Sequence, residues 1–246
     1  MKLEVFLDPE ALAMGAARHL IDSANAAIQI RGAFRIALAG GSTPKSLYTC
    51  LAMHFLNAAD WTKVHFYWGD ERNVPNDDDQ SNFKMSWETL LAPLKISEQN
   101  IHRIWTDWDT RVSDPSNAQA PSKDLIVAAS EYDSLLKRIP ILDFVLLGLG
   151  EDGHTASLMP DAKPICPALT VSDQRVVALW IPHLQDFRIS MTADYINQAR
   201  EIAFLVSGAG KAEILSRVME PGKAIEDVEA HYPAQLIHPA SGRMFW

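Results

Sequence analysis

The chain has 246 residues, 48% of them hydrophobic and 22% charged, with a formal net charge of −9. Those proportions suit a folded protein with a sizeable core and exclude a mainly disordered or collagen-like chain. The acidic balance argues against bulk nucleic-acid binding, which needs a basic face.

The opening Met1-Lys2-Leu3-Glu4-Val5-Phe6-Leu7-Asp8-Pro9 carries acids and a proline where a signal peptide needs an apolar run. Leu12, Ala16, Leu20, Ala24 and Ile28 then recur at helical spacing and predict a long first helix. Phe34 to Ala39 reads as a strand running into Gly40-Gly41-Ser42-Thr43-Pro44, with Thr43 as cap and Pro44 in the first turn of a helix that reaches about Phe55. Val64 to Trp68 is a second strand, followed by a polar loop and a helix near Ser81 to Leu91. Thr106 to Pro121, rich in Asp, Ser, Asn and Pro, reads as a surface loop before a helix ending near Lys137. Asp143 to Gly148 has almost no polar alternation, as a central parallel strand requires. Arg175 to Ile181 and Glu201 to Ser207 are further strands, and Lys211 to Met219 a helix. Strands alternating with helices predict an α/β fold, a largely parallel sheet covered on both faces, over a single domain spanning 1–246. In such sheets ligands bind beyond the carboxyl ends of the strands, where the polar, glycine-rich segments fall.

Two cysteines, Cys50 and Cys166, lie far apart with no CxxC, so neither a disulfide framework nor a thiolate zinc site is expected and both read as buried reduced thiols. No window approaches the roughly 18 apolar residues of a membrane span. The expectation is a cytoplasmic protein that binds neither membrane nor nucleic acid.

Three loops carry chemistry. In Gly40-Gly41-Ser42-Thr43-Pro44, glycines let backbone N–H groups approach an anion and the helix start adds its positive end, although a tight turn with an ordinary cap uses the same residues. It is not a Walker loop, which needs Lys after the final Gly. In Gly69-Asp70-Glu71-Arg72, Arg72 suits a bidentate grip on phosphate or carboxylate, while Asp70 and Glu71 could hold that Arg, bind sugar hydroxyls or form a surface ion pair. Gly148-Leu149-Gly150-Glu151-Asp152-Gly153-His154 matches GxGxxG after a strand, but Pro160 stops any following helix too early for a dinucleotide site. Its His154 is a candidate proton shuttle with Asp152 beside it, the other reading being a structural histidine in a turn.

Taken together, Ala39 to Pro44, Trp68 to Pro75 with Ser81-Asn82, Gly148 to Leu158, Arg188-Ile189-Ser190-Met191-Thr192 and Leu205 to Ala212 resemble the 6-phosphogluconolactonase family in that family's order. The resemblance implies a three-layer α/β/α, Rossmann-like fold shared with sugar-phosphate isomerases. It also implies hydrolysis of 6-phospho-D-glucono-1,5-lactone in the pentose phosphate pathway by a carboxylic ester hydrolase without metal or organic cofactor. The implied catalytic residues are His154 and Asp152; Gly40, Gly41, Ser42, Thr43, Asp70, Arg72, Arg188 and Lys211 would bind a small anionic sugar-phosphate lactone. A monomer or weak dimer is expected. The related deaminases carry a Glu five positions beyond the loop His; here that position is Met159, which cannot move a proton.

Overall fold

The computed structural model describes residues 2–106, 123–164, 173–219, 232–239 and 242–245. Helix α1 (Pro9–Arg31) starts at a strong signal: Asp8 Oδ1 accepts the Ala11 N–H at 2.8 Å and Pro9 fills the first turn. It ends at Gly32, whose φ of 79° closes the last turn through its N–H to Ile28 O. The buried stripe is Ala13, Ala17, Leu20, Ile21, Ala24 and Ala27; Leu12, Ala16 and Ile28 flank it half-buried, a slight rotation from the expected stripe. That stripe of mostly small residues faces α2 and the first strand.

After α1 come β1 (Phe34–Leu38), α2 (Ser42–His54), β2 (Val64–Trp68), β3 (Asp70–Arg72), α3 (Asn82–Ser86), α4 (Lys123–Lys137), β4 (Phe144–Gly148), β5 (Lys163–Pro164) and β6 (Val176–Ile181). They are followed by β7 (Asp186–Met191), α5 (Ala193–Ile196), β8 (Glu201–Leu205), α6 (Ala212–Met219) and β9 (Arg243–Phe245). The helix expected near Ser81 to Leu91 is α3 followed by a π-helical turn, Trp87–Leu91. Most of the loop expected over Thr106 to Pro121 lies outside the described residues.

The main sheet is parallel throughout, in the order β2-β1-β4-β8-β9. From β1 the chain first adds β2 on one side and later β4 on the other, so the connections reverse direction between β1 and β4. Such a switch point opens a crevice at the carboxyl ends of the strands. β4 is buried along its length up to Gly148, as its uninterrupted apolar run required.

One strand departs from expectation. β6, predicted within the parallel sheet, instead forms a separate antiparallel sheet in the order β3-β7-β6-β5. The reason is local: a four-residue turn, Pro182 to Gln185 with Gln185 at φ 50°, folds β7 straight back onto β6, whereas a parallel partner needs a long crossover. A continuous cluster of buried side chains nevertheless runs through both sheets, from Trp68 and Phe144 to Phe187, Ile189 and Met191.

Two tyrosines pin the strand ends beneath the crevice. Tyr48 Oη donates to Ala39 O at 2.8 Å and accepts from Ala39 N at 2.9 Å. Tyr132 Oη does the same at Trp68, donating to its O at 3.1 Å and accepting from its N at 2.9 Å. Burial raises both phenols far above their usual range, so each remains a donor. Cys50 is half-buried and burial raises its thiol, while Cys166 lies outside the described residues. Among the described residues no helix is long and apolar enough to cross a membrane.

Candidate active site

Beyond the carboxyl ends of β1, β2, β4 and β8 the loops enclose a cleft of ≈ 310 Å³. Gly40, Gly41, Ser42, Thr43, Asp70, Arg72, His154 and Lys211 line it, with Leu149, Leu205, Val206 and Ser207 completing the wall. Residues from four distant stretches of chain are thus brought together at the switch point.

The first loop differs in detail from its sequence reading. Gly41, not Thr43, is the N-cap of α2; its φ of 98° belongs to the left-handed region, and no side chain caps the helix. Ser42 and Thr43 occupy the first turn, so N–H groups and the positive end of the helix face the cleft.

The His154 turn is closed by its own hydrogen bonds. His154 Nδ1 lies 2.5 Å from Asp152 Oδ1, the same oxygen accepts His154 N at 3.1 Å, and Gly150 N donates to His154 O at 2.8 Å. A carboxylate beside Nδ1 holds a proton there and leaves Nε2 with its lone pair. A Cβ at Gly150 would fall 2.1 Å from His154 Nδ1, so any side chain there would displace the imidazole. Gly153, at φ 77°, sits under the Tyr232 ring and its carbonyl accepts Ala234 N at 2.9 Å, anchoring the turn. The imidazole is 31% exposed, accessible yet oriented. No helix lies between Gly148 and Lys163, which removes the crossover a dinucleotide site needs.

Asp70 faces the cleft but is almost buried. Its Oδ2 accepts Ser157 Oγ at 2.7 Å and its Oδ1 accepts Asn82 Nδ2 at 3.2 Å, so the second loop is tied to the loop that carries His154. Ser157 N in turn donates to Ser190 Oγ at 3.3 Å on β7. Glu71 does not pair with the Arg72 side chain. It is buried under α3, accepting Arg72 N at 2.7 Å, Asn82 N and Phe83 N at 2.8 Å each, and Ser81 Oγ at 3.2 Å. Burial pushes its carboxyl from the ordinary 4.5 up to about 7, against the pull of those donors.

The cations divide. Arg72 Nη1 donates to Gln80 O at 2.7 Å, which aims the guanidinium while leaving it at the cleft wall. Lys211 Nζ is 3.9 Å from an exposed Glu151 carboxylate, a loose pairing that leaves the ammonium at the wall. Arg188 lies opposite Arg72 in the β3–β7 ladder, but it is buried, paired with Asp186, and donates to Phe187 O at 3.0 Å. The structure therefore does not bring Arg188 to the cleft wall: the carboxylate two residues earlier neutralises it. Ser157 and Asn82 stood inside the quoted motifs without any individual signal, since their partners are on other loops. Glu71, which in sequence reads as a partner of Arg72 or of sugar hydroxyls, instead accepts the Arg72, Asn82 and Phe83 N–H groups and the Ser81 hydroxyl. Among the described residues no group of three His, Cys, Asp or Glu is gathered to hold a metal ion.

A histidine–carboxylate pair, two cations and the uncapped start of a helix thus meet in one crevice of a parallel α/β sheet. Residues 7–246 match the family model for glucosamine-6-phosphate isomerases/6-phosphogluconolactonase, and the chain belongs to that family. It is 40% identical over 221 residues to a 6-phosphogluconolactonase from Synechocystis sp., covering 89% of this chain and 83% of that one. It is 35% identical to one from Nostoc sp., covering 99% and 93%. Among solved structures, the 6-phosphogluconolactonase from Trypanosoma brucei superposes with a TM-score of 0.80 at 29% identity, over 99% of this chain and 94% of that one.

Proposed function

We propose that this chain, acting as one domain, hydrolyses 6-phospho-D-glucono-1,5-lactone to 6-phospho-D-gluconate in the oxidative pentose phosphate pathway. The observation that carries the reading is the union in one cleft of the Asp152–His154 pair with Arg72, Lys211 and the uncapped start of α2. A lactone is an ester, so water must add to its carbonyl carbon and the ring C–O bond must break. His154 Nε2 takes a proton from the water as its oxygen bonds to the carbonyl carbon. The tetrahedral adduct collapses, and the same proton passes to the departing ring oxygen, leaving a carboxyl group and a free hydroxyl. Asp152 keeps the Nδ1 proton in place and steadies the transient imidazolium.

Arg72, Lys211 and the α2 N-terminus hold the phosphate, and Asp70 accepts from sugar hydroxyls. Fixing the phosphate fixes the carbonyl against His154, which is catalysis by position. The family name also covers isomerases, whose aldose–ketose chemistry needs a further proton carrier. Met159, five residues past His154, offers none.

Lactone hydrolysis followed against the spontaneous rate tests the reading. The purified chain is expected to hydrolyse the phosphorylated lactone with kcat/KM at least about 100-fold above that for the unphosphorylated one, the equivalent of roughly 2.7 kcal/mol. Equal efficiency on both would sink the phosphate cradle.

A further inference from the structure

We propose that Asn82, braced by Glu71, is a positioning residue that sets the spacing between the Gly40–Thr43 loop and Asp70, and with it the affinity of the cleft for a phosphorylated sugar. The inference rests on the hydrolytic reading above for its substrate, and on the following contacts for its geometry.

Asn82 is 2% exposed and is not part of the cleft wall. Its amide Nδ2 donates to Asp70 O at 2.9 Å and to Asp70 Oδ1 at 3.2 Å. Its Oδ1 lies against Gly40, so closely that a Cβ there would fall 1.9 Å from it. Gly40 is not in the left-handed region, unlike Gly41. Backbone conformation therefore does not demand a glycine at position 40; the Asn82 amide does. One planar group thus touches both halves of the cleft: its nitrogen fixes the carboxylate on β3, and its oxygen fixes the approach of the loop that leads into α2.

The amide is itself held. Glu71 Oε1 accepts the Asn82 N–H at 2.8 Å, and Ser86 Oγ donates to Asn82 O at 3.0 Å. With its backbone clamped on both sides, the short side chain has little freedom to follow a shifted loop. A strut of this kind acts mainly on ground-state binding, because it sets where the phosphate cradle sits relative to the sugar site. The His154–Asp152 turn has its own bonds and none to Asn82.

The test uses Asn82→Ala, Gly40→Ala and the double variant. For Asn82→Ala the KM for the phosphorylated lactone is expected to rise about tenfold or more while kcat falls less than about threefold, with a smaller rise for the unphosphorylated lactone, which meets only the loosened Asp70. Gly40→Ala alone forces the loop off Asn82 and weakens phosphorylated substrate at least as much. In the double variant the Cβ occupies the space the amide vacated, so its KM is expected to lie below the product of the two single effects by at least about threefold. A kcat loss with unchanged KM, or strictly multiplicative single effects, overturns the proposal. Should Asn82→Ala fail to fold, Asn82→Ser is read the same way, since it vacates the Gly40 contact and keeps a donor. If the parent does not hydrolyse the phosphorylated lactone, the hydrolytic reading fails, and calorimetric titration with inorganic phosphate decides here. Parent binding weakened about tenfold in Asn82→Ala supports the strut; equal affinities, or no phosphate binding by the parent, overturn it.

Discussion

The tautomer of His154 is set by a neighbour two residues away, and this divides the labour among the cleft residues. His154 is expected to govern turnover: replacing it by Ala removes the proposed proton shuttle and cuts kcat by roughly 10²–10⁴-fold with a small change in KM. Lys211→Ala is expected to do the opposite, raising KM about tenfold with kcat largely kept, because attraction to the phosphate is shared by ground and transition states. Steady-state kinetics on the two variants check both; a His154→Ala protein that turns over like the parent ends its role as shuttle. The pattern of what was legible follows from the same division. His154 and Asp152 could be read from sequence because they share one short turn closed by the Gly150–His154 bond. Lys211 and Ser42 could be read because they follow strands at the sheet's carboxyl edge. Arg188 could not, since a strand residue's availability depends on its neighbours, and Asp186 claims it. Asn82 could not, because its work is done on Gly40, a partner in another loop.

At the level of elements, a continuous apolar run identified β4, whose burial on both faces leaves no polar alternation, while β1 and β2 are broken only by the half-buried Arg35 and His65 near their starts. The β6–β7 hairpin was hidden because its turn, Pro182 to Gln185, lacks the Asn-Gly or Asp-Gly signal of a two-residue loop. The start of α3 was placed correctly at Ser81, but not the carboxyl beneath it. Glu71 oxygens face three backbone N–H groups and a hydroxyl; a protonated carboxyl keeps two accepting oxygens and Gln keeps one, so Glu71→Gln is expected to cost about 1–3 kcal/mol. The effect depends on pH with a definite sign. Because burial raises this carboxyl from 4.5 to about 7, the folded chain holds a proton there that the unfolded chain has lost. Its contribution is fully present below 4.5 and disappears as pH rises through about 7. Urea unfolding at pH 5 and pH 8 is therefore expected to show the parent's advantage over Glu71→Gln shrinking toward high pH by up to ~1.4 kcal/mol per unit within that window. An advantage that grows instead contradicts the assignment.

Across the whole molecule a second group of residues pulls stability the other way. His65 and His102, on β2 and on the segment bridged to it, stand with His65 Nδ1 and His102 Nε2 3.1 Å apart, and the His102 ring stacks on Tyr67 with centroids 4.6 Å apart. Burial lowers both imidazoles; in His102 burial, then the adjacent His65 and Arg35, bring it from 6.5 to about 4. The unfolded chain takes up protons below 6.5 that the folded chain refuses, so this contribution is present above 6.5 and lost as pH falls toward 4. His102→Gln is expected to flatten acid destabilisation between those values relative to the parent, read by chemical unfolding across a pH series. A variant whose acid limb parallels the parent's would show that the pair does not titrate as described. Glu71 and the histidines thus oppose each other over the shared range, which favours a broad rather than a sharp stability maximum.

The His154 turn, complete within five residues, has a consequence for descent as well as for chemistry. The Asp152–His154 pair carries its own orientation, whereas Ser42, Arg72 and Lys211 reach the cleft from the segment after β1, from β3 and from the segment after β8. Under the hydrolytic proposal, mutation can therefore rewrite the address without disturbing the engine: a lineage that alters Arg72, Lys211 or the Asn82 strut changes which ester is met, while the His154–Asp152 pair stays as it was.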